Sequence, residues 1–576
     1  MRATNMKKTI FQTHLLLAAM VAVTLLLTVS AFAAAPGISG GTGATATFNL
    51  SAAPAYLNQP DGQAVYSWGY GCTAPPSASA FVPSTLGRSG FCNIMQVPGP
   101  TLVVTENQVV TVTLTNNLPA SAGNTSILFP GFNVTTTGGV TGLLTQEAAP
   151  AGTVTYTFTA SSPGTRAYYS GTQGDLQVEM GLYGAIIVLP ASVPTACTNP
   201  AIRTNLYGVP DWATANGIQG APEKDYRLAA SAYDHPDTCY DREYLFQFSE
   251  MDPRIHSQAL AQVTAAGACT AGAAGCSLNV PTEPYHPAYF LINGRSMPDD
   301  MDPNYATEYP HQPYNGDPHM HPGELTLIRV IGQGRWQHPF HEHGNHVRIL
   351  ARDGNLILSS STTPLTYGNG GSGIALAGPL QFTTTTTPGL AFDGIFYWTA
   401  KGLNWDAYGH NPSSGDPNAT PACSPDANGY NTGTAAQAQI NYFEWCQDHF
   451  KPVQKAPFGD VAGGGPATLP DANLFTNGAW YGGSPYLGPN ATTRATGCIN
   501  GTQPNGPNGS PTAQCGQTGS TPPSGTIANP PGSEAGFAFM WHSHNEREIT
   551  TNNIFPGGML MMMLVDSREY VIDETN

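Results

Sequence analysis

Beyond its N-terminus the chain repeats its apolar residues with a period of two. No segment sustains a helical period, which confines the fold to β-sheets. Residues 102–114 read LVVTENQVVTVTL and residues 152–159 read GTVTYTFT. Apolar and polar positions alternate around β-branched residues, the pattern of strands with one buried face. Residues 183–189, YGAIIVL, form a short continuous apolar run bounded by Gly and Pro. Strand patterns return at 289–294, 324–330, 347–350 and 536–565. Gly, Pro and Asn recur at short intervals, as in a sandwich of short strands. The run Met559-Leu560-Met561-Met562-Met563-Leu564 is read as a buried strand, because its apolar character is unbroken.

The N-terminus has the layout of an export signal. Arg2, Lys7 and Lys8 precede the apolar stretch Leu15–Val29 and then Ala31-Phe32-Ala33. That is the basic, hydrophobic and small-residue order of a secretory signal. The run is shorter than the roughly 20 residues a spanning helix needs. Residues 1–33 are therefore expected to be removed, leaving a periplasmic, cell-surface or extracellular protein with no transmembrane span. Ten cysteines fall in succession as Cys72/Cys92, Cys197/Cys239, Cys269/Cys276, Cys423/Cys446 and Cys498/Cys515. Export permits disulfides. Pairing in sequence order would close five short loops, although spacing alone does not fix connectivity. There is no CxxC.

A first domain is expected over 45–190 and a connecting segment over 191–280, where four cysteines lie without clear periodicity. A second domain is expected over 281–565. Within it, residues 407–533 shift to Gly, Pro, Asn, Thr and Ser, too long for a plain loop, and read as an insertion. Asp and Glu total 38 against 21 Lys and Arg, a net charge of −17. That argues against a nucleic-acid partner, since phosphate binding needs clustered cations.

The histidines are concentrated. Seven of the 15 lie between 311 and 346, including His338, His341, His343 and His346, and two more form His542-Ser543-His544. Residues two apart in a strand share a face. His341 and His343 therefore point one way with Glu342 opposite, and His542 and His544 share a face with Ser543 opposite. If the two strands are neighbours, four imidazoles converge, and imidazole is a preferred ligand for copper, zinc, iron and nickel. The metal set expected from sequence is His338, His341, His343, His346, His542 and His544. Glu548 is a further candidate ligand, and His319-Met320-His321 is a weaker second cluster.

These motifs resemble the multicopper oxidase family, which is built from cupredoxin β-sandwiches. The resemblance runs through Pro98-Gly99-Pro100-Thr101-Leu102, Thr115-Asn116-Asn117-Leu118-Pro119 and Gly181–Val188. It continues at Phe290–Ser296, Pro322-Gly323-Glu324 and Leu327–Val330. His338–His346 is similar to the family's third copper motif (HPxHLHGH) and Met540–Met559 to its fourth (HCHxxxH, then GM). The implied fold is all-β: tandem cupredoxin-like Greek-key sandwiches with the long insertion in the C-terminal one. The first motif, HWHG, falls on Leu128-Phe129-Pro130-Gly131, and the second, HSH, falls on Tyr169-Ser170-Gly171. Both lack their histidines. The type 1 copper Cys corresponds to Ser543 and its second His to Glu548, while His338 and Met559 remain.

The resemblance thus implies copper as cofactor with fewer than four ions, held by a degenerate family member. Three readings follow. The first is a copper-dependent oxidoreductase with a reduced metal complement, acting on a small molecule or a metal ion. The second is a non-catalytic copper-binding or structural protein. The third is a mononuclear zinc, iron or manganese site with His and carboxylate ligands. An oligomer is compatible with each.

Overall fold

The computed structural model describes residues 34–86, 91–198, 224–367, 370–401, 425–432, 442–445, 536–566, 572 and 574, with the strands Gly483–Leu487 and Ile527–Ala528. The expected signal and most of the expected insertion lie outside the described residues, as do Cys423, Cys446, Cys498 and Cys515.

Two five-stranded sheets form the first sandwich. One runs in the order Gly164–Tyr169, Tyr183–Leu189, Leu102–Thr105, Gly37–Ser39, Phe81–Val82. The other runs Ala64–Cys72, Thr45–Asn58, Val109–Asn116, Thr153–Thr159, Thr135–Gly138. Alternation explains the second sheet. Val110, Val112 and Leu114 pair with Phe158, Tyr156 and Val154 across an antiparallel register, and all six turn into the core. Leu102, Val104, Ile186 and Val188 meet them from the first sheet. The run 102–114 is not one strand. It breaks at Asn107, whose φ of 70° is a left-handed turn that Asn tolerates. Its two halves lie in opposite sheets.

The second sandwich pairs two larger sheets. One contains Tyr289–Ile292, Arg242–Met251, Leu325–Gly332, Ala391–Tyr397, Val347–Arg352 and Asn355–Leu356. The other contains His319–Met320, Leu560–Asp566, Gly536–Ser543, His338–Glu342 and Thr383–Thr386. Phe246, Phe248, Val330 and Phe392 face Phe340, Phe539, Trp541, Met561 and Met563 between them. The methionine run is thus a core strand.

Residues 242–251 differ from their expected place in a connecting segment. They form a strand buried along its whole length, central to the second sandwich. The reason is the sandwich–sandwich contact. Tyr244, Phe246 and Phe248 enter the second core, while Leu245 packs with Ile331 and Ala391 against Ala167, Ala185 and Ile187 of the first sandwich. The same contact buries both faces of 183–189, hence its unbroken apolar run. Polar groups cross it too. Asp393 accepts from Thr165 Oγ1 at 2.6 Å and pairs with Arg329, whose Nε donates to Glu243 at 2.6 Å.

Residues 253–266 also differ: they form a 14-residue helix, where no helical period was read. Asp252 caps it by accepting from Arg254 N, and Pro253 sits in the first turn. Its burial is limited to Ile255, His256 and Ala259, too few to set an apolar stripe in the sequence. Three disulfides close in sequence order, Cys72–Cys92, Cys197–Cys239 and Cys269–Cys276. Among the described residues no helix is long and apolar enough to cross a membrane.

Candidate metal centre

The strand His338–Glu342 pairs antiparallel with Gly536–Ser543, in the register Phe340↔Ser543, His341↔His542, Glu342↔Trp541. Directly opposed residues share a sheet face. Phe340 and Trp541 take the core face, which sends His341 and His542 to the outer one. His343 follows on that same face. His341, His343 and His542 bring their ligand atoms within 4.8 Å of one another. His343 Nε2 lies 3.1 Å from His542 Nε2. The His544 ring centroid is 5.1 Å from that of His341, with its side chain 54% exposed.

Hydrogen bonds orient these rings. His542 Nδ1 is 2.7 Å from the Ser543 carbonyl, which can only accept. In the neutral ring Nδ1 therefore carries the hydrogen and Nε2 the lone pair. His343 Nε2 must then be the donor in the contact between the two rings. Thr383 Oγ1 lies 2.8 Å from His341 Nδ1. Burial, followed by the neighbouring imidazoles His343, His542 and His544, pushes His341 down to about 3. Burial, assisted by His544, also lowers His542. Both rings are neutral at pH 7, so an arriving cation displaces no charge from them. The chemistry of the donors, three converging imidazoles, fits a copper or zinc ion.

His338 and His346 stand apart from this group. Both nitrogens of His338 are engaged by carboxylates: Nδ1 with Glu548 Oε2 at 2.8 Å and Nε2 with Glu250 Oε2 at 3.0 Å. Burial opposes its charge, but the hydrogen bonds to Glu250 and Glu548 outweigh that and push it up to about 9. It is an imidazolium clamped between two buried carboxylates. Ser543 donates its hydroxyl to Glu548, and Asn545 Nδ2 donates to the same carboxylate at 2.9 Å. Glu250 Oε1 accepts from the backbone of Arg335 and Trp336 at 2.6 and 2.8 Å. His346 sets its ring edge-on to Phe382, 5.0 Å between centroids.

The residues that resemble a type 1 copper site therefore lack its donors. Ser543 N donates to the Met559 carbonyl, and Met559 is buried in the core. A hydroxyl and a carboxylate stand where thiolate and imidazole are needed, and the remaining imidazole carries protons on both nitrogens. These residues do not fit a blue copper ion. Glu548, on the opposite sheet face from His542, does not join the imidazoles.

The first sandwich does not fit copper either. Its positions for histidine are Leu128, Pro130, Tyr169 and Gly171. A Cβ on Gly171 would lie 2.7 Å from Leu128 Cγ, so no side chain fits there as packed. The surroundings are satisfied internally. Gln177 accepts from Thr125 and Ser170 at 2.8 and 2.6 Å and donates to the Asn124 carbonyl. A four-copper assembly has no place in these residues.

Glu342 points into the core, accepting from Thr384 Oγ1 at 2.8 Å, and burial raises it well above the usual carboxylate range. It does not meet Arg348, which donates to Gly378, or Arg335, which pairs with Glu283. His319 is held by Asp566 at 2.6 Å and Asp317 at 3.3 Å, a second buried imidazole between carboxylates. Sequence reasoning missed Glu250 and Thr383. No local signal marks Glu250. Thr383 lay in an uninterpreted run of threonines, although such a run beside a histidine strand is a source of hydroxyl partners.

Residues 90–192 match the family model described as multicopper oxidase. Laccase-3 of Botryotinia fuckeliana is 33% identical over 118 residues, 20% of this chain and 24% of that protein. The chain thus spans about a quarter of the length of the curated relative it matches. Similar solved structures include a blue copper oxidase from Nitrosomonas europaea, with 17% identity, TM-score 0.34, and 61% and 74% of the two chains covered. The laccase from Botrytis aclada has 16% identity and TM-score 0.32, covering 62% of this chain and 47% of its own. Residues 90–192, which lie in the first sandwich and lack the motif histidines, are thus similar to a multicopper oxidase domain.

Proposed function

We propose that this protein is an exported copper-binding oxidoreductase with one copper ion in place of the family's four. The observation that supports the reading is the convergence of His341, His343 and His542 on one sheet face. His544 is near enough to add a fourth imidazole. When bound, copper would supply a one-electron redox couple at a position partly open to small molecules. The chain's residues bind and orient it: Ser543 fixes the His542 tautomer through its carbonyl, and the neutral rings offer lone pairs. Electron delivery through a type 1 centre is not part of this reading, because the His338 clamp fills that place. The substrate is a small reductant or a reduced metal ion, as the laccase-like segment suggests.

A second reading keeps the copper but not the turnover: the ion ties the His338–Glu342 and Gly536–Ser543 strands together as a staple. It is favoured by the first sandwich having become a plain scaffold. The zinc, iron or manganese reading that relied on a carboxylate ligand is weakened, because Glu548 is committed to His338, Ser543 and Asn545. The test loads purified protein with Cu(II), follows oxygen uptake with a phenol and with Fe(II), and repeats it with His542→Ala. Uptake lost in the variant supports the oxidoreductase. Copper bound without uptake leaves the staple.

A further inference from the structure

We infer that Trp541 is a positioning residue for the imidazole group: from the core face its indole N–H holds the backbone carbonyl of His343 and so keeps the His343 ring beside His542. The consequence for copper rests on the reading above; the seating of His343 does not.

His343 is the member of the group that its own strand does not hold. The strand ends at Glu342, and its register with Gly536–Ser543 ends at Glu342↔Trp541. From there the chain crosses to Val347–Arg352 in the opposite sheet. Gly344 makes the turn with φ 102°, and a Cβ there would meet the Phe539 ring at 3.0 Å. The chain thus bends down onto the core directly after His343, where alternation no longer decides which way a side chain goes.

Two backbone bonds tie the residue to the neighbouring strand. His343 N donates to the Met540 carbonyl at 3.4 Å, a long contact. Trp541 Nε1 donates to the His343 carbonyl at 2.9 Å. The second is the firmer, and its direction is unambiguous, because an indole nitrogen only donates and a carbonyl only accepts. The donor is rigid as well. Trp541 is fully buried, with its ring 4.9 Å from Phe396 and 6.0 Å from Phe340 between centroids. A carbonyl fixed on the core side sets the rotation of the His343–Gly344 peptide, and with it the direction in which the ring leaves the backbone. That ring lies 4.6 Å from His341 between centroids, and its Nε2 is 3.1 Å from His542 Nε2. One strand therefore supplies the His542 ring on its outer face and, one residue earlier, the support of His343 on its core face.

The test removes the N–H and keeps the fused ring: Trp541→β-(3-benzothienyl)alanine, introduced by stop-codon suppression, with Trp541→Phe as a second variant. In metal-free protein labelled with 15N-histidine, the His343 ring signals, assigned by their loss in His343→Gln, should shift in both variants. Cu(II) affinity should fall roughly 10- to 100-fold. Unchanged His343 signals in the benzothienyl variant would overturn the inference, whatever happens to affinity. So would shifted signals with wild-type affinity, since the ring would then not need this support. A wild type that binds no copper, with His343 signals that still depend on the indole N–H, would sink the copper reading and leave this one standing.

Discussion

His343 and His542 are 199 residues apart in the chain, yet their Nε2 atoms lie 3.1 Å from each other. Two neutral imidazoles at that distance share one hydrogen, and the Ser543 carbonyl assigns it to His343. A metal ion entering between them must move that hydrogen from Nε2 to Nδ1 of His343, a tautomer change that leaves the ring neutral. Copper uptake at pH 7 should therefore release no proton from His341 and His542, which are already uncharged. Calorimetric titration with Cu(II) in two buffers of different ionisation enthalpy checks this. Apparent enthalpies that differ between the buffers as the release of a proton per copper requires would contradict it.

The His338 clamp predicts a pH-dependent stability of definite sign. Its folded-state value of about 9 lies above the roughly 6.5 of an unfolded histidine. The contribution is complete below pH ~6.5 and is lost as pH rises through about 9. It amounts to about 3 kcal/mol. Urea midpoints measured from pH 6 to 9.5 should fall over that window, and the fall should disappear in His338→Gln. Glu548→Gln, which removes one carboxylate from a buried pair, should destabilise at neutral pH by about 3–5 kcal/mol.

Restoring the missing cysteine should not restore blue copper. In Ser543→Cys the thiol would still face Glu548 in place of the second imidazole, with His338 doubly protonated. Cu(II) added to this variant should give no intense visible thiolate charge-transfer band. The band should remain absent until Glu548 is also replaced by His. A strong band in the single variant would show that the clamp yields to copper.

Gly171 and Leu128 make a packing pair in the first sandwich. A Cβ at 171 would meet Leu128 Cγ at 2.7 Å, so Gly171→Ala should destabilise by about 1–3 kcal/mol. Leu128→Ala should recover part of that loss in the double variant, and a double-mutant cycle by denaturant melting measures the coupling. Independent, additive effects would mean the two residues do not compete for space.

The sequence made the His-x-His pairs legible because a period of two fixes which face each residue takes. His341 with His343 and His542 with Ser543 behaved as that rule requires. What it could not specify was the partner of each ring. His338 sits two residues before Phe340 and shares its core face, which separates it from the imidazoles. That parity was readable at once, but its carboxylates were not, because Glu250 is 88 residues away and Glu548 is 210. The strand Arg242–Met251 was hidden for a related reason. Its charged residues Arg242, Glu243 and Glu250 are buried by ion pairs and hydrogen bonds from distant strands, so neither alternation nor an apolar run appears. The helix Pro253–Ala266 announced itself only by Asp252-Pro253, a cap that is informative when its apolar face is weak.

The most direct measurement is the metal content of the protein loaded with Cu(II) and freed of excess, in wild type and in His343→Ala, with EPR on both. One copper per chain is expected in wild type, with nitrogen hyperfine structure and no blue-copper signal, and loss of that ion is expected in His343→Ala. A wild type without copper, or a variant that retains the same ion with the same spectrum, would contradict the site built on His341, His343 and His542.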